Sequence, residues 1–402
     1  MDETLFAQLQ EVEKSGLIED SFFTEEEVRF FEKNYVFVFD DDLLVEQLRH
    51  QSLSRIFDKK HMVLTIAPTH NCNFNCGYCY EKWRNPGRMS DETEDAIVQF
   101  LKKRMEQDAM DTLNLTWYGG EPLLETKRLL SLGLKIKGLG LNVLENEIVT
   151  NGYLLDSKRI EVLSEIGVDT IQVTLDGLRV DHDKRRPLLN GNGTFDKIVE
   201  NLDGLFSGKF CDSFFVAVRV NIDKSNQVKF WEVFEWLNER YPSKNLVVYP
   251  GWIHLEDSNP SKCNCFGRNE STDFCISALK ERNVCLEKIY PDDINVECLV
   301  RNPNNMIIGW RGEIYKCFED LGETSLVVGN IHDDPVFSNH ELQAKYSVGI
   351  DHYQEEECQS CSYLPICHGG CPKRRMENKY EGKNNDCCTP FKGRIEDYLE
   401  LL

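Results

Sequence analysis

Long apolar runs are missing from this chain. No segment of its 402 residues approaches the roughly 18 consecutive apolar residues that a membrane-spanning helix needs. The first residues, MDETLFAQLQEVEKS, are acidic and amphipathic, whereas a secretory signal begins basic and continues apolar. We therefore expect a cytoplasmic protein without a membrane partner.

Positive charge is also scarce, because 46 Lys and Arg residues stand against 68 Asp and Glu residues, for a formal net charge of −22. A surface of that sign repels nucleic acid and anionic lipid, so neither is an expected partner. The charge suits a neutral or basic polypeptide substrate, and it is also typical of an acidic surface that is merely well solvated. The length allows a barrel-sized domain and one smaller domain.

Cysteine, in contrast, is abundant, with 16 residues that lie mostly in tight clusters. In a short secreted protein such a number predicts disulfides, but in a long cytosolic chain it favours metal binding. The first cluster is Cys72, Cys76 and Cys79, spaced C-x3-C-x2-C on a polar loop. The loop follows an apolar, β-branched strand predicted at 62–66. A loop can turn all three thiolates toward one soft metal centre.

The number of ligands in this cluster distinguishes two kinds of metal site. A structural zinc site uses four N or S ligands and is closed, so zinc would need His70 or a distant cysteine as well. An iron–sulfur cluster held by three cysteines instead leaves one iron open to a substrate or cofactor. We predict the iron–sulfur cluster, with zinc as the alternative.

Strand-like and helix-like segments alternate from residue 62 to about 255. Six strands are predicted, at 62–66, 113–118, 147–150, 170–175, 214–222 and 246–249. Ser90 and Thr194 are predicted to cap two of the intervening helices. Six strand–helix units predict a parallel sheet, closed or nearly closed, with the chemistry at the carboxyl ends of the strands.

Residues 1–60 precede this pattern and form a predicted cap or substrate-recruiting segment. Charged helices are predicted at 3–13 and 24–33, around a strand-like patch at 35–39.

Polar residues follow three of the predicted strands. After the second strand, Gly119 and Gly120 allow close approach of the backbone to a ligand, and Glu121 can accept a hydrogen bond from a cationic amine. Asn151 and Asp176 follow the third and fourth strands. They can bind ribose or substrate, or they can form ordinary Asn-Gly and Asp-Gly turns.

Arginines mark the region around the fifth strand. Arg219 lies within that apolar strand, where an unpaired charge is unfavourable. It needs a carboxylate partner, from a ligand or from a protein Asp or Glu. Arg185 and Arg186, in DHDKRRP, are further candidates for binding a ligand.

The first cysteine cluster resembles that of the radical S-adenosylmethionine (SAM) enzymes, in which an aromatic residue, here Tyr78, precedes the third cysteine. The resemblance implies a [4Fe–4S] cluster on Cys72, Cys76 and Cys79, whose open iron chelates SAM and whose reduction cleaves SAM to a 5′-deoxyadenosyl radical. The run from Gly119 to Pro122 resembles the family's SAM-binding motif. The fold implied for residues 61–255 is α/β, a partial (β/α)6 TIM-type barrel.

Residues 256–402 carry further cysteines at spacings that resemble the SPASM extension of radical SAM enzymes, which holds two auxiliary iron–sulfur clusters. Random placement does not explain the spacings, and the cysteines are too many for one zinc ribbon. The resemblance implies three [4Fe–4S] clusters in all. One auxiliary cluster is assigned to Cys298, Cys317 and Cys371, and the other to Cys358, Cys361, Cys367 and Cys388.

Two ligand assignments stay open. Cys387 is the alternative to its neighbour Cys388, which is favoured because TPFK after it resembles the segment that follows that ligand in the family. The fourth ligand of the first auxiliary cluster is one of four upstream cysteines or is absent, leaving an open iron. These cysteines are Cys263, Cys265, Cys275 and Cys285.

The segment at 314–331 resembles maturases that install thioether or carbon–carbon crosslinks in ribosomally made peptides. The resemblance implies a precursor peptide or protein substrate, an external one-electron reductant, and an auxiliary cluster that accepts the surplus electron. Catalytic candidates by position are Tyr249, His254 and Asp320.

Two alternatives remain for the function. HGGCPK at 368–373 resembles the anaerobic sulfatase-maturating enzymes, which form formylglycine, but those usually place an Asp where this chain has Phe318. The second alternative is a non-catalytic electron carrier or peptide-binding scaffold. Such a protein would not need a SAM site, so the SAM-binding motifs argue against it.

Overall fold

The computed structural model of the chain describes residues 3–15, 23–33, 36–38, 40–81, 85–253, 264–286, 298–367 and 369–400. The strands are β1 His61–Ile66, β2 Thr112–Trp117, β3 Asn142–Thr150, β4 Thr170–Thr174, β5 Phe215–Ile222, β6 Leu246–Trp252, β7 Met306–Ile308, β8 Glu313–Tyr315 and β9 Gly329–Asn330. The helices are α1 Glu3–Ser15, α2 Glu25–Lys33, α3 Asp41–Ile56, α4 Asp91–Asp108, α5 Thr126–Lys137, α6 Ser157–Glu165, α7 Arg179–Arg185, α8 Phe195–Ser207, α9 Gln227–Arg240, α10 Arg268–Arg282, α11 His340–Ala344, α12 Glu356–Gln359, α13 Pro372–Glu381 and α14 Ile395–Leu399.

All nine strands form one sheet in the order β6-β5-β4-β3-β2-β1-β7-β8-β9. Strands β1 to β6 are parallel, each paired with the next along the chain, and a helix separates each from its successor. Because β6 is at one end of this order and does not pair with β1, the sheet stays open. The predicted partial (β/α)6 arrangement is confirmed.

The C-terminal segment extends this sheet. β7 pairs in parallel with β1, at Leu64 to Ile66, and the antiparallel strands β8 and β9 follow outward. The sequence did not predict this extension, because each of the three strands has at most three residues and so shows no periodicity.

One apolar core fills the space between the parallel strands and their helices. Leu64 of β1, Trp117 of β2 and Ile171 of β4 are fully buried in it, together with Leu101 of α4 and Phe230 of α9. The six strand predictions are confirmed, although β3 begins five residues before the predicted position at 147. That first half of β3 is exposed, so it lacks the alternation that would have predicted it.

The N-terminal caps of α4 and α8 were both predicted from the local sequence. Ser90 caps α4 as predicted, since its side chain accepts a hydrogen bond from the Thr93 N–H. Thr194 precedes α8 but does not cap it with its side chain. Asp183 does so instead, because its Oδ1 accepts from the N–H groups of Thr194 and Phe195 at 2.7 and 2.8 Å. Thr194 thus occupies the predicted N-cap position, but the acceptor comes from a side chain eleven residues earlier.

The N-terminal segment is helical, as predicted for α1 and α2. The predicted strand at 35–39 is not formed by its described residues 36–38, which make a bend, while Tyr35 and Phe39 lie outside the described residues. Leu48 of α3, a helix that was not predicted, packs against Tyr353 and Leu364. None of the helices in the described ranges is long and apolar enough to cross a membrane.

Candidate functional site

The carboxyl ends of β1 to β6 surround a cavity of about 260 Å³. The three cysteines of the C-x3-C-x2-C loop line it, as do residues that follow β2 and β3 and residues within β5. The lining residues are Cys72, Phe74, Cys76, Tyr78, Cys79, Tyr80, Glu81, Tyr118, Gly119, Gly120, Val149, Thr150, Asn151, Gln172, Thr174, Arg186, Arg219, Asn221, Trp252, Ile253 and Glu319. Parallel strands end at the same edge of a sheet, which is why residues so distant in sequence meet there.

The three cysteine side chains are free thiols, with Cys76 buried and the other two half-buried. Burial and the nearby Glu121 raise the pKa of the Cys72 thiol to about 12. Burial and Glu81 likewise raise the pKa of Cys79 to about 11. Because the three sulfurs also raise one another's pKa, a cationic centre is needed to hold all of them as thiolates.

The donor set and the cavity fit an iron–sulfur cluster. Soft thiolates are the ligands that such clusters prefer, and the three thiols line one cavity beside further polar side chains. Within the described ranges, no three His, Cys, Asp or Glu side chains are grouped closely enough to ligate a single metal ion.

Gly119 and Gly120 bring the β2 loop against the cysteine loop. The Gly120 N–H donates to the Thr69 carbonyl at 3.1 Å, and the next N–H donates to the Asn71 carbonyl at 2.9 Å. A Cβ on Gly119, whose φ is +107°, would lie 2.3 Å from the Thr69 oxygen, and one on Gly120 would lie 2.3 Å from the Asn71 oxygen. The glycines line the cavity, and the backbone that they approach is that of the cysteine loop.

Glu121 is fully buried between the ends of β2 and β3. Its Oε1 accepts from the Leu123 N–H at 3.0 Å and from the Thr150 hydroxyl at 2.7 Å, and its Oε2 accepts from the Asn151 N–H at 2.7 Å. Pro122, also buried, begins a 3-10 helix. The carboxylate therefore fixes the two loops relative to each other, while its expected contact with a ligand amine stays a prediction.

Asn151 and Asp176 occupy different surroundings. The Asn151 amide lines the cavity and donates to Asn73 at 2.8 Å, with the Cys72 sulfur 3.9 Å away. Asp176 is fully buried beneath the cavity and accepts from the Tyr78 hydroxyl and from the Asn221 N–H. Asn151 is thus placed to contact a ligand, and Asp176 positions Tyr78 and Asn221, which also line the cavity.

Tyr78 is the centre of a hydrogen-bond network at the cavity wall. Its hydroxyl donates to Asp176 and accepts from Arg186 Nη1 at 2.6 Å and from Asn221 Nδ2 at 3.0 Å. Arg185 continues the network through an ion pair with Asp223 at 3.0 Å. The sequence pattern had not indicated Asn221, since a lone Asn in a strand is not a signal.

Two arginines, Arg186 and Arg219, present their guanidinium groups to the cavity. Arg219 Nε donates to the Asn221 Oδ1 at 3.0 Å, and the Nε of the buried Arg186 has no hydrogen-bond partner among the residues described. Neither forms an ion pair with a carboxylate of the described part of the chain. A cavity with two such cations is suited to an anionic group on a ligand.

Two of the three catalytic candidates, Tyr249 and Asp320, are not among the described residues that line the cavity. Tyr249 donates its hydroxyl to Gln172, and the third candidate, His254, lies outside the described residues. Asp320 is fully buried and accepts from Lys373 Nζ at 2.9 Å and from the Tyr346 hydroxyl at 2.6 Å.

Two carboxylates that the sequence analysis missed do line the cavity, Glu81 and Glu319. Each comes two residues after a candidate metal-binding cysteine, and this proximity in the sequence could have indicated that they lie near the site. Between the C-terminal segment and the cavity, the ring of Phe318 packs edge-on against Tyr118, with centroids 4.9 Å apart.

Five cysteines of the C-terminal segment lie around one cavity. Cys358, Cys361, Cys367, Cys387 and Cys388 line a second cavity, of about 500 Å³. Because both members of the Cys387–Cys388 pair face it, the choice between them stays open.

The segments of Cys298, Cys317 and Cys371 are held together by buried lysines. Lys373, two residues after Cys371, pairs with Asp320, three residues after Cys317. Lys316 Nζ donates to the Asn302 carbonyl at 2.6 Å and to that of Asn305.

The cysteines considered as a further ligand differ in burial and bonding state where the structure describes them. Cys275 is buried in α10, Cys285 is exposed, and Cys265 is engaged in a disulfide. Cys263 lies outside the described residues. The fourth ligand of the first auxiliary cluster therefore stays unassigned.

The loop after β4 depends on a neutral histidine, which gives a pH prediction. Buried His182 accepts from the Asp176 N–H through Nδ1 at 3.2 Å and contacts Thr194 Oγ1 through Nε2 at 3.0 Å. Burial and Arg186 hold the pKa of His182 well below its usual value. Its contribution to the unfolding free energy is therefore complete above the unfolded-state pKa of about 6.5, and it is lost as pH falls toward the folded-state pKa, by at most about 1.4 kcal/mol per pH unit.

Urea unfolding at pH 8 and pH 5.5 checks this expectation. His182→Gln should be less stable than wild type at pH 8, and the difference should narrow at pH 5.5. His50→Gln, at an exposed position of α3, should leave the unfolding curve unchanged at both pH values. If His182→Gln lowers the unfolding free energy by the same amount at both pH values, the expectation that His182 is neutral in the folded protein is contradicted.

Comparison with known proteins agrees with this geometry. Residues 66–237 match the radical SAM superfamily. The cysteine-type anaerobic sulfatase-maturating enzyme of Clostridium novyi (strain NT) is 24% identical over 375 residues, covering 85% of this chain and 96% of that protein. The serine-type enzyme of Klebsiella aerogenes is 23% identical over 353 residues, covering 82% of this chain and 83% of that protein.

Solved structures share the fold. Native anSMEcpe with bound AdoMet and Kp18Cys peptide has a TM-score of 0.62 at 20% identity, covering 85% of this chain and 96% of that one. Streptococcus suis SuiB bound to precursor peptide SuiA has a TM-score of 0.55 at 14% identity, covering 95% of this chain and 87% of that one. Residues 66–237, which hold the cysteine loop and the glycine pair, form a radical SAM domain, and the protein is an enzyme.

Proposed function

We propose that this enzyme modifies a ribosomally made peptide by forming a thioether or carbon–carbon crosslink. Cys72, Cys76 and Cys79 would hold the [4Fe–4S] cluster of the superfamily. Gly119, Gly120 and Asn151 would contact SAM, with Glu121 and Asp176 holding these loops in place. Arg219 and Arg186 are the proposed partners of the SAM carboxylate, since both face the cavity without a protein carboxylate among the described residues.

When bound, the cluster and SAM supply a 5′-deoxyadenosyl radical that takes one hydrogen atom from the peptide. A crosslink then forms as the peptide loses one further proton and one electron. The chain must therefore provide a proton acceptor and a route for the electron. Glu81 and Glu319 place carboxylates in the cavity, and the C-terminal cysteines are the proposed ligands of a one-electron acceptor.

The environment of residues 318–320 is the observation that favours crosslinking over formylglycine formation. In the sulfatase-maturating enzymes, the family resemblance implies an Asp base directly after the cysteine that corresponds to Cys317. Here that residue is Phe318, which packs on Tyr118, and Asp320 is tied to Lys373 and Tyr346. The base that formylglycine formation would use is thus missing from its expected position.

Formylglycine formation is the second candidate, and the names of the relatives favour it. The Clostridium novyi and Klebsiella aerogenes proteins that match most of this chain are sulfatase-maturating enzymes. A peptide substrate is common to both candidates, because the similar structures were solved with a Kp18Cys peptide and with the precursor peptide SuiA.

Mass spectrometry of two peptides distinguishes the candidates. The anaerobically reconstituted enzyme is incubated with SAM and dithionite, and with either a Cys-containing sulfatase-type peptide or the peptide encoded beside its own gene. We expect the second peptide to lose two hydrogens and to give no product with an aldehyde-specific hydrazide. An aldehyde on the sulfatase-type peptide would establish formylglycine formation instead.

Two controls accompany this experiment. The Cys72→Ala variant should modify neither peptide, because the SAM cleavage would stop. Cys211→Ala, which removes a half-buried free thiol outside both cavities, should behave as wild type.

A further inference from the structure

The sulfurs of Cys387 and Cys388 make different hydrogen bonds, although both residues line the cavity of about 500 Å³. The Cys387 thiol donates to the Asn385 carbonyl at 3.6 Å, and its sulfur accepts from Asn378 Nδ2 at 3.6 Å. A sulfur that binds a metal has lost the proton that the first of these bonds uses. Cys387 could therefore bind a metal only by giving up a contact that it already makes.

The Cys388 sulfur faces a cation instead. Lys392 Nζ donates to it at 3.4 Å, and a thiolate sulfur is the form that accepts such a charged donor best. Lys392 is half-buried, and its hydrogen bond to Cys388 raises the pKa of the ammonium above its usual value. The ammonium is therefore charged at neutral pH. Among the described residues no carboxylate forms an ion pair with it, so its contacts are with sulfur.

The other cysteines of this cavity lie close to the same cation. Lys392 interacts electrostatically with Cys358 and Cys361 as well as with Cys388. Cys367 interacts in the same way with Cys358 and with Cys361. The four cysteines thus line one cavity and also lie near one another, with the ammonium beside them.

The backbone keeps the two neighbouring sulfurs in different places. The Cys388 N–H donates to Asp386 Oδ1 at 2.9 Å. The Cys387 carbonyl packs against Gly370, whose φ is +68° and where an added Cβ would overlap the carbonyl oxygen. A rotation that exchanged the two side chains would have to break both contacts.

We propose that Cys388, rather than Cys387, is the fourth ligand of an iron–sulfur cluster in this cavity, and that Lys392 is the positioning residue that holds its sulfur. The other ligands are Cys358, Cys361 and Cys367. The ammonium also raises the reduction potential of the cluster, because a positive charge beside it stabilises the more negative, reduced form more than the oxidised form. This inference rests on the proposed function, in which a C-terminal cluster accepts one electron.

Iron counting tests the choice of ligand. All variants are made in the Cys72→Ala/Cys76→Ala/Cys79→Ala background, which removes the SAM-binding cluster, so the remaining iron belongs to the C-terminal cysteines. Cys388→Ala should bind about four irons fewer than this background, whereas Cys387→Ala should bind as many as it does. Full iron content in Cys388→Ala, or loss of iron from Cys387→Ala, would overturn the assignment.

Redox titration followed by electron paramagnetic resonance tests the role of the charge. Lys392→Met should keep its iron and should lower the midpoint of one cluster by about 59 mV, which is a tenfold change in its reduction equilibrium. The signal of that cluster should be the one that Cys388→Ala lacks. Lys392→Arg keeps the charge and should stay near the midpoint of the background protein.

Lys197→Met controls for the loss of one lysine, since Lys197 pairs with Glu200 on α8 and is not among the residues that line either cavity. It should shift no midpoint. An unchanged midpoint in Lys392→Met, or an equal shift in Lys197→Met, would overturn the effect on the potential. A shift in the cluster that Cys388→Ala retains would overturn the placement of Lys392 beside this cluster.

The outcomes also separate this inference from the proposed function. A background protein that binds no iron would overturn both. The expected iron counts and midpoint shift in an enzyme that crosslinks neither test peptide would support the roles of Cys388 and Lys392 and count against crosslinking alone.

Discussion

Replacing Gly120 with alanine is expected to abolish iron binding at Cys72, Cys76 and Cys79, and with it SAM cleavage. The new Cβ would lie 2.3 Å from the Asn71 carbonyl oxygen and 2.7 Å from the Asn71 carbonyl carbon and the His70 oxygen. These are backbone atoms that cannot rotate away, so the cysteine loop itself must move. We expect about four fewer irons per chain than in the reconstituted wild type.

A second alanine substitution controls for the change of residue. Gly204 lies in α8, and a Cβ there has no neighbour within 4 Å. Gly204→Ala should bind iron as wild type does and should be more stable by about 0.5–1 kcal/mol, because alanine favours the helix. Full iron content in Gly120→Ala would show that the two loops adjust to each other without loss of the site.

Replacing all three cysteines of the loop should produce the same loss by removing the ligands themselves. After anaerobic reconstitution, three clusters predict about twelve irons in the wild type and about eight in Cys72→Ala/Cys76→Ala/Cys79→Ala. SAM cleavage should fall to background. Iron counting and detection of 5′-deoxyadenosine check the two effects independently.

Cys211→Ala is again the matched control and should keep both its iron and its activity. Zinc in place of iron in the wild type would contradict the cluster. Retention of SAM cleavage by the triple variant would place the reaction at another group of cysteines.

The location of the site was predictable because parallel strands end together. The positions of Cys72, Gly120 and Asn151 after three successive strands were enough to expect a common cavity. The role of Gly119 and Gly120 was harder to predict from the sequence. Their sequence predicted close approach to a ligand, and only the fold shows that their near neighbour is the backbone at Thr69 and Asn71.

Contacts between distant residues account for most of what the sequence left out. Asp183 reaches the start of α8, and Asn221 reaches Tyr78 across 143 residues of chain. Asp320 looked available three residues after a cysteine, but Lys373 and Tyr346 occupy its carboxylate. Periodicity reports which face of a strand is buried, and it carries no information about such partners.

The pairing of β7 with β1 determines whether the parallel sheet can be produced without the C-terminal segment. β1, which leads into the cysteine loop, hydrogen-bonds to β2 on one side and to the C-terminal strand on the other. A chain shortened to end after β6 would leave that second side bare, and a bare strand edge is a template for association with other chains. The cysteine-rich segment thus also protects the barrel from aggregation, so the barrel is not expected to be soluble when it is produced alone.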